Sequence, residues 1–242
     1  MQRAIVFGAT GGIGEAICQE LAKDGWSLYL HYCHNEQKAI ELMNQLSEQY
    51  QSQDFMPVKL DFLADNQSLE QWTSQLFPVN ALVFAQGITD YGFLADQRLS
   101  KIDQIMQVNL LVPIKITRLL EQMLTKQEYS RIVYLGSVYG GQGSALEAVY
   151  SASKAGLSRF SQAYAREVAS ANLTVNTLAP GAVDTEMNKI FSEDTFDLLK
   201  EEIPMGRLAQ GSDVAFWVKN LLAKESAYLT GQTIYVSGGW LL

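Results

Sequence analysis

Seven short, mostly apolar runs limit most strongly what this chain can fold into: Ala4–Phe7, Leu28–Leu30, Phe55–Leu60, Ala81–Ala85, Ile132–Leu135, Leu173–Leu178 and Thr233–Val236. They are near-continuous rather than alternating with polar residues. Strands of that kind must be covered on both faces, as in a parallel sheet. Between them, Ile13, Ala16, Ile17 and Leu21 repeat at helical intervals, as do Ile102, Ile105, Met106, Leu110 and Ile114. Strand alternating with helix predicts an α/β, doubly wound, seven-stranded and mainly parallel sheet with helices on both faces.

No Pro-, Ser- or Gly-rich linker interrupts the rhythm, so residues 1–242 read as a single domain. The stretch around 182–211 is poor in strand signal and longer than most connections, which suggests a substrate lid. A hydrophobic fraction of 48% excludes disorder, and no apolar run approaches the ~18–20 residues of a membrane span. The net charge of −8 argues against nucleic-acid binding over a broad basic surface. Cys18 and Cys33 are the only cysteines and show no metal spacing, so no metal is expected. Free thiols and the absence of a secretory h-region at the N-terminus point to the cytoplasm.

After the first run, Gly8, Gly12 and Gly14 precede the first helical pattern. Glycines there let the chain turn sharply, bring backbone N–H groups to a pyrophosphate and pack helix on strand without a Cβ, and the helix N-terminus adds partial positive charge. Taken alone, such a triplet also fits an ordinary βα turn. Further along, Tyr150 and Lys154 stand four apart, one helical turn, which holds an ammonium beside a phenol. A free tyrosine, with pKa ~10, needs such a neighbour to exchange protons near neutrality. Ser137 follows the strand RIVYL, at the carboxyl edge where open α/β sheets bind ligands, and Asn109 is a polar residue within an apolar stripe. Individually these fit a helix pair, a turn or cap serine, and a buried amide satisfied by backbone.

Together, in this order and over essentially the whole chain from the glycine turn to GQTIYVSGG, the motifs resemble the short-chain dehydrogenase/reductase family. The resemblance implies a Rossmann-type fold and hydride transfer between a nicotinamide and a carbonyl carbon. It implies a catalytic tetrad in which Tyr150 gives the carbonyl oxygen its proton, Ser137 orients and stabilises that oxygen, Lys154 lowers the tyrosine pKa and holds the nicotinamide ribose, and Asn109 positions a proton-supplying water. The dinucleotide is expected along Gly8, Thr10, Gly11, Gly12, Ile13 and Gly14, at Tyr32 and His34, at Asp61 and Phe62, at Ala85, Gln86 and Gly87, and at Pro180, Gly181, Val183 and Thr185. Asp61 also suits a helix N-cap.

The family's Asn-Asn-Ala-Gly turn is Phe84-Ala85-Gln86-Gly87 here, Phe7 replaces a common threonine, and Ser237 replaces an expected Asp. An NAD enzyme places an acid about 20 residues after the glycines. Leu28 to Asn35 contains none, and Tyr32 takes the position. Gly11 and Cys33 stand where NADPH-preferring relatives put Arg, with His34 and Lys38 as substitutes. NADPH is the expected cofactor and NADH the alternative.

Within the family, the chain resembles the bacterial 3-oxoacyl-acyl-carrier-protein reductases. Those grip an acidic carrier with basic residues where this chain has Glu128 and Ala171, leaving Arg131 and Arg166 to compensate. The LHYCHN and YGFLAD segments are similar to a branch that reduces a 5-aminopentanone group on elongation factor P, whose cationic amine suits an acidic protein. A third reading is a non-catalytic dinucleotide-sensing module. The resemblance also implies a homotetramer or homodimer formed through the helices carrying Asn109 and Tyr150, with the Trp240-Leu241-Leu242 tails meeting.

Overall fold

The computed structural model describes residues 2–185 and 193–240, with the side chains of 193–196 outside the description. Leu241 and Leu242, and residues 186–192 of the expected lid, lie outside the described residues.

Seven strands form one sheet in the order β3-β2-β1-β4-β5-β6-β7, and every ladder in it is parallel. They are β1 (Arg3–Phe7), β2 (Ser27–Tyr32), β3 (Phe55–Lys59), β4 (Ala81–Phe84), β5 (Ser130–Leu135), β6 (Leu173–Pro180) and β7 (Thr233–Val236). The helices named here are α1 (Gly12–Lys23), α2 (Glu36–Gln49), α3 (Asn66–Ser74), α4 (Leu99–Met106), α5 (Val112–Leu124), α6 (Val138–Gly141), α7 (Ala148–Val168), α8 (Glu193–Glu202) and α9 (Gly211–Leu222).

The sheet is buried on both sides because its strands carry apolar side chains on both. Along β1, Ala4 and Val6 face a layer built from α1, α2 and α9, while Ile5 and Phe7 face the layer of α3, α5 and α7. Strand order reverses between β1 and β4, so the loops leaving their carboxyl ends diverge and open a crevice above that edge.

The helical pattern at residues 99–124 is not one α-helix. Gln107–Leu111 forms a π-turn between α4 and α5. Pro113 lies four residues after Asn109 and has no N–H for the Asn109 carbonyl, so the regular ladder cannot run through this point. The wider turn puts Asn109 wholly inside the protein.

Candidate active site

Each expected site residue leaves the carboxyl end of a strand or lies on a helix packed beside one. At the end of β1, Gly8 has φ +79°, and a Cβ on it would stand 2.9 Å from the Gln86 backbone, so β1 and β4 approach as only glycine permits. The Gly11 N–H donates to the Gly8 carbonyl (3.0 Å), and a Cβ on Gly14 would overlap that same oxygen. Gly11 caps α1 without any side-chain acceptor, leaving the first N–H groups of the helix available to an anion. A Cβ on Gly12 would meet the Thr185 methyl at 3.1 Å, so the segment after β6 reaches back to the glycine turn. This cradle fits a dinucleotide pyrophosphate, and the buried, unpartnered Oε1 of Gln86 is a further polar atom beside it.

Sequence reasoning passed over His31. Its buried imidazole accepts from the Gly8 N–H at Nδ1 (3.1 Å) and donates from Nε2 to the Leu60 carbonyl (3.0 Å). The ring packs between Phe7 and Phe62. One side chain thus ties the glycine turn to the ends of β2 and β3. Burial holds its pKa down at about 4. The free side chain titrates near ~6.5, so the unfolded chain takes up this proton first. His31 therefore contributes stability that is complete above about pH 6.5 and lost as pH falls through about 4. We expect His31→Phe, which keeps an aromatic ring and removes both bonds, to weaken dinucleotide binding about tenfold with kcat within about threefold, and to flatten the stability loss between pH 6.5 and 4. Fluorescence titration and melting curves check this; equal losses in KM and kcat would show a general packing defect.

On the adenosine side, the Tyr32 hydroxyl donates to Glu36 (2.8 Å), while Lys38 pairs with Glu15 (2.9 Å). His34 lies beside the Cys33 thiol. Asp61 accepts from the Leu63 N–H (2.8 Å) in a tight turn, and the cap of α3 is Asp65 instead. Phe62 turns its ring into the core against Phe7, beneath the pocket. Across the crevice, the Ala85 N–H continues the pairing to the Phe7 carbonyl (3.0 Å). A Cβ on Gly87 would lie 3.4 Å from Lys154 Nζ and 3.6 Å from Asn109 Oδ1. After β6, Pro180 ends the strand, Gly181 packs on Ser237 and Val183 enters the core.

The four expected catalytic residues come together. Ser137, at the N-cap of α6, accepts from the Tyr139 N–H (3.1 Å), and its hydroxyl lies near enough to the Tyr150 phenol to hold that phenol's pKa down. Lys154 is buried, its Nζ donating to the Leu135 carbonyl (2.7 Å) and lying 5.7 Å from the Tyr150 ring centre. The Asn109 amide is fully used: Oδ1 accepts from the Ile88 N–H (2.9 Å), and Nδ2 donates to the Ile88 carbonyl (2.8 Å) and to Ser153 Oγ (3.1 Å). Ser153 in turn donates to the Tyr150 carbonyl (2.7 Å), linking Asn109 to the helix of Tyr150 and Lys154. Burial pushes the Tyr150 phenol up to about 12, opposed by the neighbouring Ser137, and brings Lys154 down to about 8. The tyrosine is thus a neutral proton donor at pH 7, beside a lysine that still carries most of its charge.

The sequence pattern described as short chain dehydrogenase matches residues 2–195. The chain is 32% identical to the "Uncharacterized oxidoreductase YmfI" of Bacillus subtilis over 98% of both chains. It is 33% identical to the 3-oxoacyl-[acyl-carrier-protein] reductase FabG of Escherichia coli K12 over 98% of this chain and 96% of that one. To the acetoacetyl-CoA reductase of Allochromatium vinosum it is 34% identical over 98% and 97%. Among solved structures, an actinorhodin polyketide ketoreductase variant with NADPH superposes at a TM-score of 0.90, with 28% identity over 99% of this chain and 97% of that one. The glycine crevice, the Ser137–Tyr150–Lys154 group and these likenesses over the full length have one reading: the chain belongs to the short-chain dehydrogenase family of NAD(P)H-dependent oxidoreductases.

Proposed function

We propose that the chain reduces a 3-oxoacyl thioester to the 3-hydroxy form with NADPH. The observation that carries this reading is the convergence of Ser137, at the carboxyl end of β5, with Tyr150 and the buried Lys154 ammonium, which lies 5.7 Å from the tyrosine ring centre. When bound, the nicotinamide supplies the hydride. Ser137 and Tyr150 then form a two-donor clamp on the carbonyl oxygen, which strengthens as negative charge develops there. Tyr150 gives up its proton as that charge forms, and the Lys154 ammonium favours the resulting phenolate and holds ribose hydroxyls. The Asn109 side chain is committed to Ile88 and Ser153, so it acts as a positioning residue. The carbonyl left without its α-helical partner by Pro113 is the atom suited to hold a water. NADPH is supported by the absence of a carboxylate from Leu28 to Asn35 and by the NADPH in the actinorhodin ketoreductase structure. Names such as FabG and acetoacetyl-CoA reductase among the relatives support the thioester.

One observation favours the second reading, reduction of the 5-aminopentanone on elongation factor P. Arg131 is buried and spends its guanidinium on backbone carbonyls, including Ser130, so it cannot greet an acidic carrier, and Glu128 already neutralises Lys224 (2.6 Å). Exposed Arg166 is the cation that remains. The reading extends to a cytoplasmic homotetramer or homodimer, supported by exposed Leu99 at the start of α4, by exposed Leu111 two residues after Asn109, and by Phe216 and Trp217 on α9.

The test is NADPH oxidation with acetoacetyl-CoA, set against mass analysis of elongation factor P from a deletion strain. Thioester turnover with an unchanged factor supports the first reading, and a ketone left on the factor supports the second. Tight NADPH binding with no turnover of any ketone would make the chain a sensing module. Light scattering giving the mass of a single chain would remove the oligomer.

A further inference from the structure

Beyond the tetrad, the segments after β4 and β5 bring an acid to the mouth of the same site. The Glu147 carboxylate, half-buried at the N-cap of α7 and one turn before Tyr150, accepts from the Thr89 hydroxyl (2.7 Å). Three residues after Thr89, the Gly92 N–H donates to the Leu146 carbonyl (2.9 Å), so the loops 89–92 and 144–147 are pinned at two points. Leu146 is left-handed, with φ 65°, a conformation that costs a bulky residue of the order of 1 kcal/mol or more. That strain fixes where the next residue, Glu147, stands. Glu147 is close enough to act electrostatically on the phenols of both Tyr139, two residues after Ser137, and Tyr150.

All these residues leave β4 and β5 or start α7; none comes from the β1–β3 half that carries the dinucleotide cradle. They therefore border the part of the cleft left for the substrate. Among the described residues, no Lys, Arg or His is paired with Glu147; its one side-chain partner is a neutral hydroxyl. Burial raises its pKa, and the Thr89 hydrogen bond offsets only part of that cost. A partly desolvated carboxylate whose one side-chain partner is a neutral hydroxyl lacks a cation, and an ammonium supplies that charge.

We propose that Glu147 is a specificity-determining residue that reads a positive charge on the carbonyl substrate, so that the site prefers cationic ketones to neutral ketones of the same shape. This deepens the proposed carbonyl reduction and rests on it. It does not depend on which macromolecule, if any, carries the ketone.

The experiment uses an isosteric pair, 5-(trimethylammonio)pentan-2-one and 6,6-dimethylheptan-2-one, in which a quaternary nitrogen replaces a quaternary carbon and no amine is free to cyclise. With the full chain and saturating NADPH, kcat/KM for the cation is expected to exceed that for the neutral ketone about tenfold or more. Glu147→Gln brings the ratio to within about threefold of one, and Glu147→Asp retains part of the preference. A wild-type ratio near one overturns the inference without any variant, and so does a preference that survives Glu147→Gln. Turnover of acetoacetyl-CoA with neither member of the pair reduced also overturns it while leaving carbonyl reduction intact. Failure of all three ketones strikes the carbonyl-reductase reading itself.

Discussion

Tyr150→Phe lowers kcat for ketone reduction by about 10²–10⁴-fold, the span typical of losing a positioned acid–base group, while NADPH affinity changes by less than about threefold. The substitution deletes one oxygen and keeps the ring beside the Lys154 ammonium. Ser137 retains its cap hydrogen bond to Tyr139, so the clamp keeps one of its two donors and some oxyanion stabilisation survives. What disappears is the proton. With the phenol pushed up to about 12, the wild-type side chain is fully protonated at neutral pH and donates as soon as charge appears on the substrate oxygen. Stopped-flow single turnovers with preloaded NADPH separate this from binding. A variant within tenfold of wild type would show that another group delivers the proton and would remove Tyr150 from the mechanism.

The largest effect on the cofactor site is expected from Gly14→Ala. One methyl group placed on α1 overlaps the Gly8 carbonyl oxygen and also approaches the Ala9 Cα at 3.1 Å. Both obstacles are backbone, so no rotamer change relieves them. Either α1 backs away from β1 or the Gly8 turn opens, and both disturb the N–H groups aimed at the pyrophosphate. Overpacking of this kind costs about 1–3 kcal/mol or somewhat more. We expect a visibly lower melting temperature and NADPH affinity reduced by at least about tenfold. A contrast is available at Gly25, with φ +90° but open space around its Cβ position, where Ala pays for conformation alone. If Gly14→Ala binds NADPH normally, close packing of α1 on the turn is not what forms the cradle.

The sheet was readable because burial on both faces forces continuous apolar runs, and each of the seven runs lies within or overlaps a strand. The strand ends were less readable. β2 reaches Ser27 and Tyr32, beyond Leu28–Leu30, because parallel pairing to β1 and β3 shelters polar atoms such as the His31 nitrogens that local hydrophobicity scores against. β6 runs to Pro180 because at that level only β7 is beside it, β5 having ended opposite Leu178, so a residue without an N–H is tolerated. At the site, the tetrad was legible from spacing and family likeness, and Asn109 also has the backbone-satisfied amide its place in an apolar stripe suggests. His31 was not legible, since a histidine in a strand carries no spacing signal; its meaning depends on Gly8, 23 residues away. Lys38 offered a charge in sequence that the fold gives to Glu15. Glu147 was silent because its neighbours Thr89 and Tyr139 come from different loops.

The π-turn at Gln107–Leu111 makes residue count, as well as residue identity, a condition of activity. Deleting one residue there would let the ladder tighten to α-helical pitch and remove the wide turn that seats Asn109. The Ile88 backbone would then lose its amide clamp. Substitutions in this stretch can be absorbed locally, whereas length changes cannot. Insertions and deletions are therefore expected to be barred from these five positions even where the side chains themselves are free to vary.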